Sequence, residues 1–361
     1  MDNRPMRERL GISEEHLRAC VQDHYDISAV TLELLHMGWD SMAAVYRVVS
    51  AQGTPFLLRV KSGLFYAPSC LVPRHLKDQG IDAVVAPLPT KRHSLWIPLG
   101  VGEWGEWMVT LYPFIEGDIG WHPSMTDAQW KAVGAILKQI HQVPLPPEGM
   151  QALRKETFSS TAYARWVRTF DTQLTHVAHA EDESRAEQAI RDLWMKHRSM
   201  ILAMLAAMET LAETLQGQSG PQVICHADLH PGNLIRDAAG HVHVIDWDDV
   251  MLAPKERDFI FVREAPADSS ARASVPPFFR GYGQVEIDWV ALTYYHFERV
   301  VQDVIECAQE VLFRSDLAED ARLDAARLFG DIFTTGDTVV AAWAAAAHLP
   351  AHLRIHNNTG S

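Results

Sequence analysis

Four cysteines in 361 residues, Cys20, Cys70, Cys225 and Cys307, are too few and too scattered for a disulfide framework, and none forms the CxxC pair of a zinc site. That usage fits a reducing, cytoplasmic setting. Basic residues are also scarce: 32 Lys and Arg face 46 Asp and Glu, a formal net charge of −14. A chain of that sign repels phosphate backbones, so nucleic acid is not an expected partner and small cationic molecules are better ones. Long apolar runs are missing. The longest, over residues 339–349, falls well short of the ~20 residues that span a bilayer, so no membrane partner is expected. The opening residues, MDNRPMRERL, contain no apolar secretory stretch. Repeats and low-complexity tracts are absent. What remains is ordinary globular material, 47% hydrophobic and 22% charged, enough for a large core. At roughly 150 residues per domain, the length suggests about two domains or lobes.

Residues 1–35 read as one or two helices. Residues 43–49 and 56–61 are β-rich and flank the turn Gln52-Gly53-Thr54-Pro55, which predicts an antiparallel hairpin. Residues 84–86, 94–98 and 107–111 are candidates for further strands. Residues 1–111 thus read as a small lobe built on an antiparallel sheet. The segment 112–117, punctuated by Pro113 and Gly117, reads as a hinge. Residues 118–361 read as a larger helical lobe. Trp130, Val133, Ile136, Leu137 and Ile140 recur at helical spacing behind a Thr126 cap, and apolar stripes return over 186–216, 289–313 and 318–329. The fold class is therefore α+β.

One stretch interrupts the helices. Residues 223–225 read as a short buried strand, and 226–232 as a loop. Residues 233–236 and 241–246 read as a hairpin joined by the four residues 237–240. With the hairpin's midpoint taken between Ala239 and Gly240, Asn233 faces Asp246, and Asp228 reaches the same end. An amide oxygen and a carboxylate beside a second carboxylate suit Mg-dependent phosphoryl transfer, in which the neighbouring Asp takes a hydroxyl proton.

His226-x-Asp228-x4-Asn233, then a strand ending in Asp246-Trp247, with Pro231-Gly232 before the asparagine, resembles the aminoglycoside phosphotransferase family of the protein-kinase-like fold. Residues 251–258, Gly281-Tyr282-Gly283 and the Tyr294–Asp303 region resemble its spectinomycin-phosphorylating branch. The resemblance runs over roughly 20–315. It implies a bilobal fold and an ATP- or GTP-dependent O-phosphotransferase acting on a cationic, hydroxyl-bearing antibiotic. It implies Asp228 as base and Asn233 and Asp246 as Mg ligands. The hinge around Tyr112 and Phe114 would receive adenine, and Gly38, Asp40 and Ser41 would lie in the turn over the phosphates. Arg59, with Lys61 two residues on, would meet the phosphates. Protein kinases pair that cation with a helix Glu, yet residues 62–77 contain no acid, so any partner must come from elsewhere.

A cationic acceptor calls for acidic and aromatic walls. Asp248 is the candidate acid and Trp247 the candidate stacking surface, with Tyr295 and Glu298 on a later helix. The alternatives within the fold are a metabolic kinase for choline, homoserine or a sugar, and a catalytically inactive nucleotide-binding module.

Overall fold

The computed structural model describes residues 12–35, 43–102, 105–121, 124–144, 152–176, 184–218, 220–262, 275–334 and 337–355. In chain order the elements are α1 (Glu14–Tyr25), β1 (Ala29–Leu35), β2 (Ala43–Ser50), β3 (Pro55–Ser62), α2 (Pro68–Asp78), β4 (Ile97–Gly102), β5 (Gly105–Pro113), β6 (Gly117–Ile119), α3 (Asp127–Gln142) and β7 (Arg154–Lys155). There follow α4 (Thr161–His176), α5 (Arg185–Gln216), β8 (Val223–Cys225), β9 (Leu234–Asp237), β10 (Val242–Val244), β11 (Met251–Ala253), α6 (Pro277–Tyr282), α7 (Trp289–Phe313), α8 (Glu319–Thr334) and α9 (Asp337–Ala346). Contacts divide the chain into two compact units. The first comprises Met1–Lys155, Val223–Leu252 and Glu264–Gln284; the second comprises Glu156–Gln222, Ala253–Arg263 and Val285–Ser361. The stretch 112–117 lies inside the first.

The first unit carries a five-stranded antiparallel sheet in the order β1-β2-β3-β5-β4. Its expected central hairpin is β2 and β3. Residues 29–35, expected to be helical, are instead the edge strand β1. Helix α1 stops at Asp26, whose φ of 58° is a left-handed cap. The following Ala-Val-Thr-Leu-Glu-Leu-Leu then pairs with β2. Alternate residues of the sheet, among them Tyr46, Val48, Leu58, Val60, Val109 and Leu111, are buried with Leu17 and Val21 of α1. Of the further strand candidates, 107–111 falls in β5 and 94–98 only overlaps β4. Residues 84–86 make just an isolated bridge, Val84 to Val244.

A second, three-stranded sheet runs β10-β9-β6, and a third runs β7-β11-β8. Thr126 and Gln129 cap α3 reciprocally. The β9–β10 turn is shorter than expected. Asp237 N–H donates to His241 O at 3.0 Å and Gly240 sits at φ +86°, so three residues, 238–240, form the loop. A left-handed residue at its third position suits glycine. Asp237 closes it further, accepting from the N–H groups of Ala239 and His241.

The second unit is helical. Helices α4, α5, α7, α8 and α9 bury a common core containing Phe170, Trp194, Met208, Tyr294, Phe297 and Phe329. His296 of α7 is buried there, and burial pushes its imidazole down from 6.5 to about 4. The unfolded chain therefore binds a proton that the folded chain does not between those values, so stability falls as pH drops through that window. The cost by pH 4 is on the order of 3 kcal/mol. Urea midpoints measured from pH 7 to pH 4.5 should slope downward in the wild type and less steeply in His296→Gln. Equal slopes would assign the acid loss to other groups.

Candidate active site

Strand β3 exposes two cations because of its period. Leu58 and Val60 are fully buried on one face, which turns Arg59 and Lys61 to the other. There they stand opposite Thr110 and Met108 of β5. A shallow pocket opens on this face, lined by Arg59, Lys61, Cys70, Thr110, Tyr112 and Asp248 among others. Burial pushes the Cys70 thiol up, so it stays protonated at the pocket wall.

Asp248 does not extend toward an acceptor. Arg59 donates both guanidinium arms to its carboxylate, at 2.8 and 2.5 Å, and Lys61 Nζ lies 2.7 Å away. Burial alone would raise the Asp248 carboxyl; Arg59 and Lys61 outweigh that and hold it well below the usual carboxylate range. The expected substrate acid is thus the partner that residues 62–77 do not supply. Its strand connection is clamped. Tyr66 donates its hydroxyl to Val250 O at 2.8 Å, Arg154 donates to Asp248 O at 2.7 Å, and the Arg154 guanidinium lies 4.3 Å from the Tyr66 ring centre.

The loop after β8 is organised by one buried ring. His226 Nδ1 accepts the Asp228 N–H at 3.3 Å, which leaves the ring proton on Nε2, facing Ile245 O at 2.8 Å. The same imidazole therefore ties Asp228 to the segment that leads from β10 to Asp246. Asn233 donates its Nδ2 to Asp228 O at 2.8 Å and lies 3.4 Å from Asp228 Oδ2. Ala227 and Asp246 adopt φ of 72° and 59°. Such backbone costs about 1–2 kcal/mol per non-glycine residue and recurs at functional sites.

The three-residue turn shifts the hairpin register by one. Val244 faces Leu234, and Ile245 N–H donates to Asn233 O at 3.0 Å, so Asn233 stands opposite Ile245 and not Asp246. The left-handed backbone at Asp246 then redirects its side chain. Arg59 Nη1 lies 3.8 Å from Asp246 Oδ1. Burial raises the Asp246 carboxyl, Arg59 opposes this, and Asp248 and Asp228 add to it, which gathers all four groups in one electrostatic neighbourhood. One amide oxygen and one carboxylate are hard oxygen donors that fit Mg, and a cation there would favour the charged Asp246.

Other expected site residues fall elsewhere. Trp247 is 3% exposed and packs on His226 at 4.7 Å, so it belongs to the core and not to an acceptor wall. Tyr295 and Glu298 are buried within the second unit. Glu298 accepts from Tyr294 Oη at 2.9 Å and pairs with Arg257, whose guanidinium lies over the Tyr295 ring. On α7 they form the packed stripe and not an open face. Tyr112 lines the pocket, whereas Phe114 packs beneath Arg47 at 5.1 Å. Gly38, Asp40 and Ser41 lie outside the described residues. Tyr66 and Arg154 escaped sequence reasoning because nothing near them in the chain marks their contacts. Met108 and Thr110 were legible in principle, since they alternate with Tyr112 along β5.

The sequence pattern of the phosphotransferase enzyme family matches residues 33–295. No curated protein sequence matches significantly. Among solved structures, spectinomycin phosphotransferase APH(9)-Ia in complex with ADP and spectinomycin is similar over 92% of this chain and 98% of its own, with a TM-score of 0.80 and 28% identity. Its AMP-bound complex gives a TM-score of 0.75 and 27% identity, covering 92% and 99%. Amicoumacin kinase hAmiN, in complex with AMP-PNP, Ca2+ and Ami, shares the fold at a TM-score of 0.58 and 16% identity, over 91% and 96%. The kinase-like fold, with an antiparallel sheet toward the N-terminus and helices toward the C-terminus, is thereby established.

Proposed function

Because the chain belongs to the phosphotransferase enzyme family, we propose that it transfers the terminal phosphoryl group of ATP, or of GTP, to a hydroxyl of a cationic aminocyclitol antibiotic of the spectinomycin kind, so inactivating it. The observation that carries this reading is the convergence, within one compact unit, of Asp228, Asn233 and Asp246 with the Arg59 cation. The acceptor class is supported by likeness to a protein crystallised with ADP and spectinomycin, and by the chain's net charge of −14.

In this reading Asp228 accepts the hydroxyl proton as the acceptor oxygen attacks the terminal phosphorus and the nucleoside diphosphate leaves. His226 holds the Asp228 backbone in place. Arg59 and Lys61 neutralise phosphate oxygens, exchanging the Asp248 carboxylate for them. Asn233 and Asp246 would hold Mg. That ion, when bound, would offset charge on the phosphate oxygens.

The test is an acceptor panel of spectinomycin, hygromycin, kanamycin, choline and homoserine, with MgATP and mass detection of one added phosphate. Spectinomycin or a close aminocyclitol should gain it. Transfer to choline or homoserine alone would make the protein a metabolic kinase instead. No transfer, together with no nucleotide-induced rise in Tm, would make it an inactive module.

A further inference from the structure

An aromatic wall was expected at Trp247, which is in the core. A different indole stands next to Asp228. Gly120, just after β6, donates its N–H to Pro231 O at 2.9 Å and Leu234 O at 2.8 Å, which binds this segment to the loop bearing Asp228 and Asn233. The next residue, Trp121, lies on the His230 imidazole, with ring centres 5.8 Å apart and planes 23° from parallel. Residue 232 must be small for this. A Cβ at Gly232 would lie 2.7 Å from Trp121 Nε1 and 2.6 Å from His230 Cε1.

His230 links the indole to the site. Its Nδ1 accepts the Gly232 N–H at 2.9 Å, so the ring proton resides on Nε2, and Nε2 is 3.5 Å from Asp228 Oδ2. Indole, imidazole and carboxylate therefore stand in sequence. Among the described residues His230 is the one ring that Trp121 touches. Trp121 nevertheless remains 45% exposed, unlike the buried Trp107, Trp194 and Trp247. An indole exposed on a loop fastened to the site gives up burial that a core position would provide. Trp is also the strongest of the aromatic side chains for cations.

We propose that Trp121 is an acceptor-binding residue, whose open indole receives the cationic ring of the substrate and sets its hydroxyl toward Asp228. This rests on the phosphotransferase reading with a cationic acceptor. A purely structural Trp121 would only brace His230, and kinetics separate the two roles. For Trp121→Ala the acceptor KM should rise about tenfold. The nucleotide KM should stay at its wild-type value. Trp121→Phe, which keeps an aromatic face, should recover most of the lost acceptor affinity, and its Tm shows that the fold is intact. A fall in kcat with unchanged acceptor KM, or a matching rise in nucleotide KM, would overturn the proposal and leave Trp121 a brace. The wild type is assayed in parallel. If it phosphorylates no cationic acceptor, the phosphotransferase reading falls and takes this one with it; if it does, an unchanged acceptor KM in Trp121→Ala defeats this one alone.

Discussion

Asp228→Asn is expected to lower phosphoryl transfer by about 10²–10⁴-fold while nucleotide affinity changes little, since loss of a general base costs on that order. The substitution conserves shape. The groups that hold the loop are backbone ones, the Asp228 N–H on His226 and the Asp228 carbonyl on Asn233 Nδ2, and both survive it. What disappears is the ability to take a proton. Steady-state transfer and nucleotide-induced Tm shifts, measured on one preparation, separate the two effects. Full turnover in the variant would remove Asp228 from the role of base. Loss of the Tm shift along with turnover would mean that the substitution had disturbed the nucleotide site itself.

Asp248→Ala is expected to cost stability and to make the protein unusually responsive to nucleotide. The change leaves Arg59, only 17% exposed at its side chain, beside Lys61 with no carboxylate shared between them. Breaking a buried pair typically costs 3–5 kcal/mol. Asp248 and Lys61 are 27% and 30% exposed, so a discounted figure of about 2 kcal/mol is appropriate. The phosphates of a bound nucleotide would supply the missing negative charge. The Tm gained on adding ATP should therefore be larger in the variant than in the wild type. The sign works through pH as well. Asp248 is held below its ordinary range by the two cations, so its contribution is present above the unfolded carboxylate range and fades as pH falls below it. A variant with wild-type Tm and a wild-type nucleotide response would show that the three-way ion pair contributes nothing measurable.

These two residues mark what was legible in the sequence. The His226–Asn233 loop could be read because its chemistry is local: base, amide and turn residues lie within eight positions, and backbone geometry does the rest. The Arg59 partner could not, because a carboxylate 189 positions away is invisible to spacing arguments. The sheet was half legible. The hairpin of β2 and β3 follows from alternation and a Gly-Thr-Pro turn, but residues 29–35 carry as much helical as extended signal until β2 pairs with them. Hairpin register turned on a single loop residue. With Gly240 at positive φ in a three-residue turn, the hairpin centres on residue 239 and not between 239 and 240, which puts Ile245 and not Asp246 opposite Asn233. Trp247 was a candidate wall on chemistry alone; it follows Asp246, whose backbone is left-handed, and its indole packs on His226 in the core, a placement that residue type does not reveal. Tyr295 and Glu298 share helical spacing with core positions, and only packing distinguishes an open face from a filled one.

The interleaving of the two compact units has a consequence for synthesis. The stretches 223–252 and 264–284 complete the first unit, so a nascent chain leaving the ribosome cannot finish it until about residue 284 has emerged. By then the long helix α5, with its apolar stripe, is already outside the tunnel and lacks α7, α8 and α9 to cover it. That interval is where a chaperone would be called on, and where truncated clones should aggregate. Grafting either unit from a relative would require exchanging three segments together.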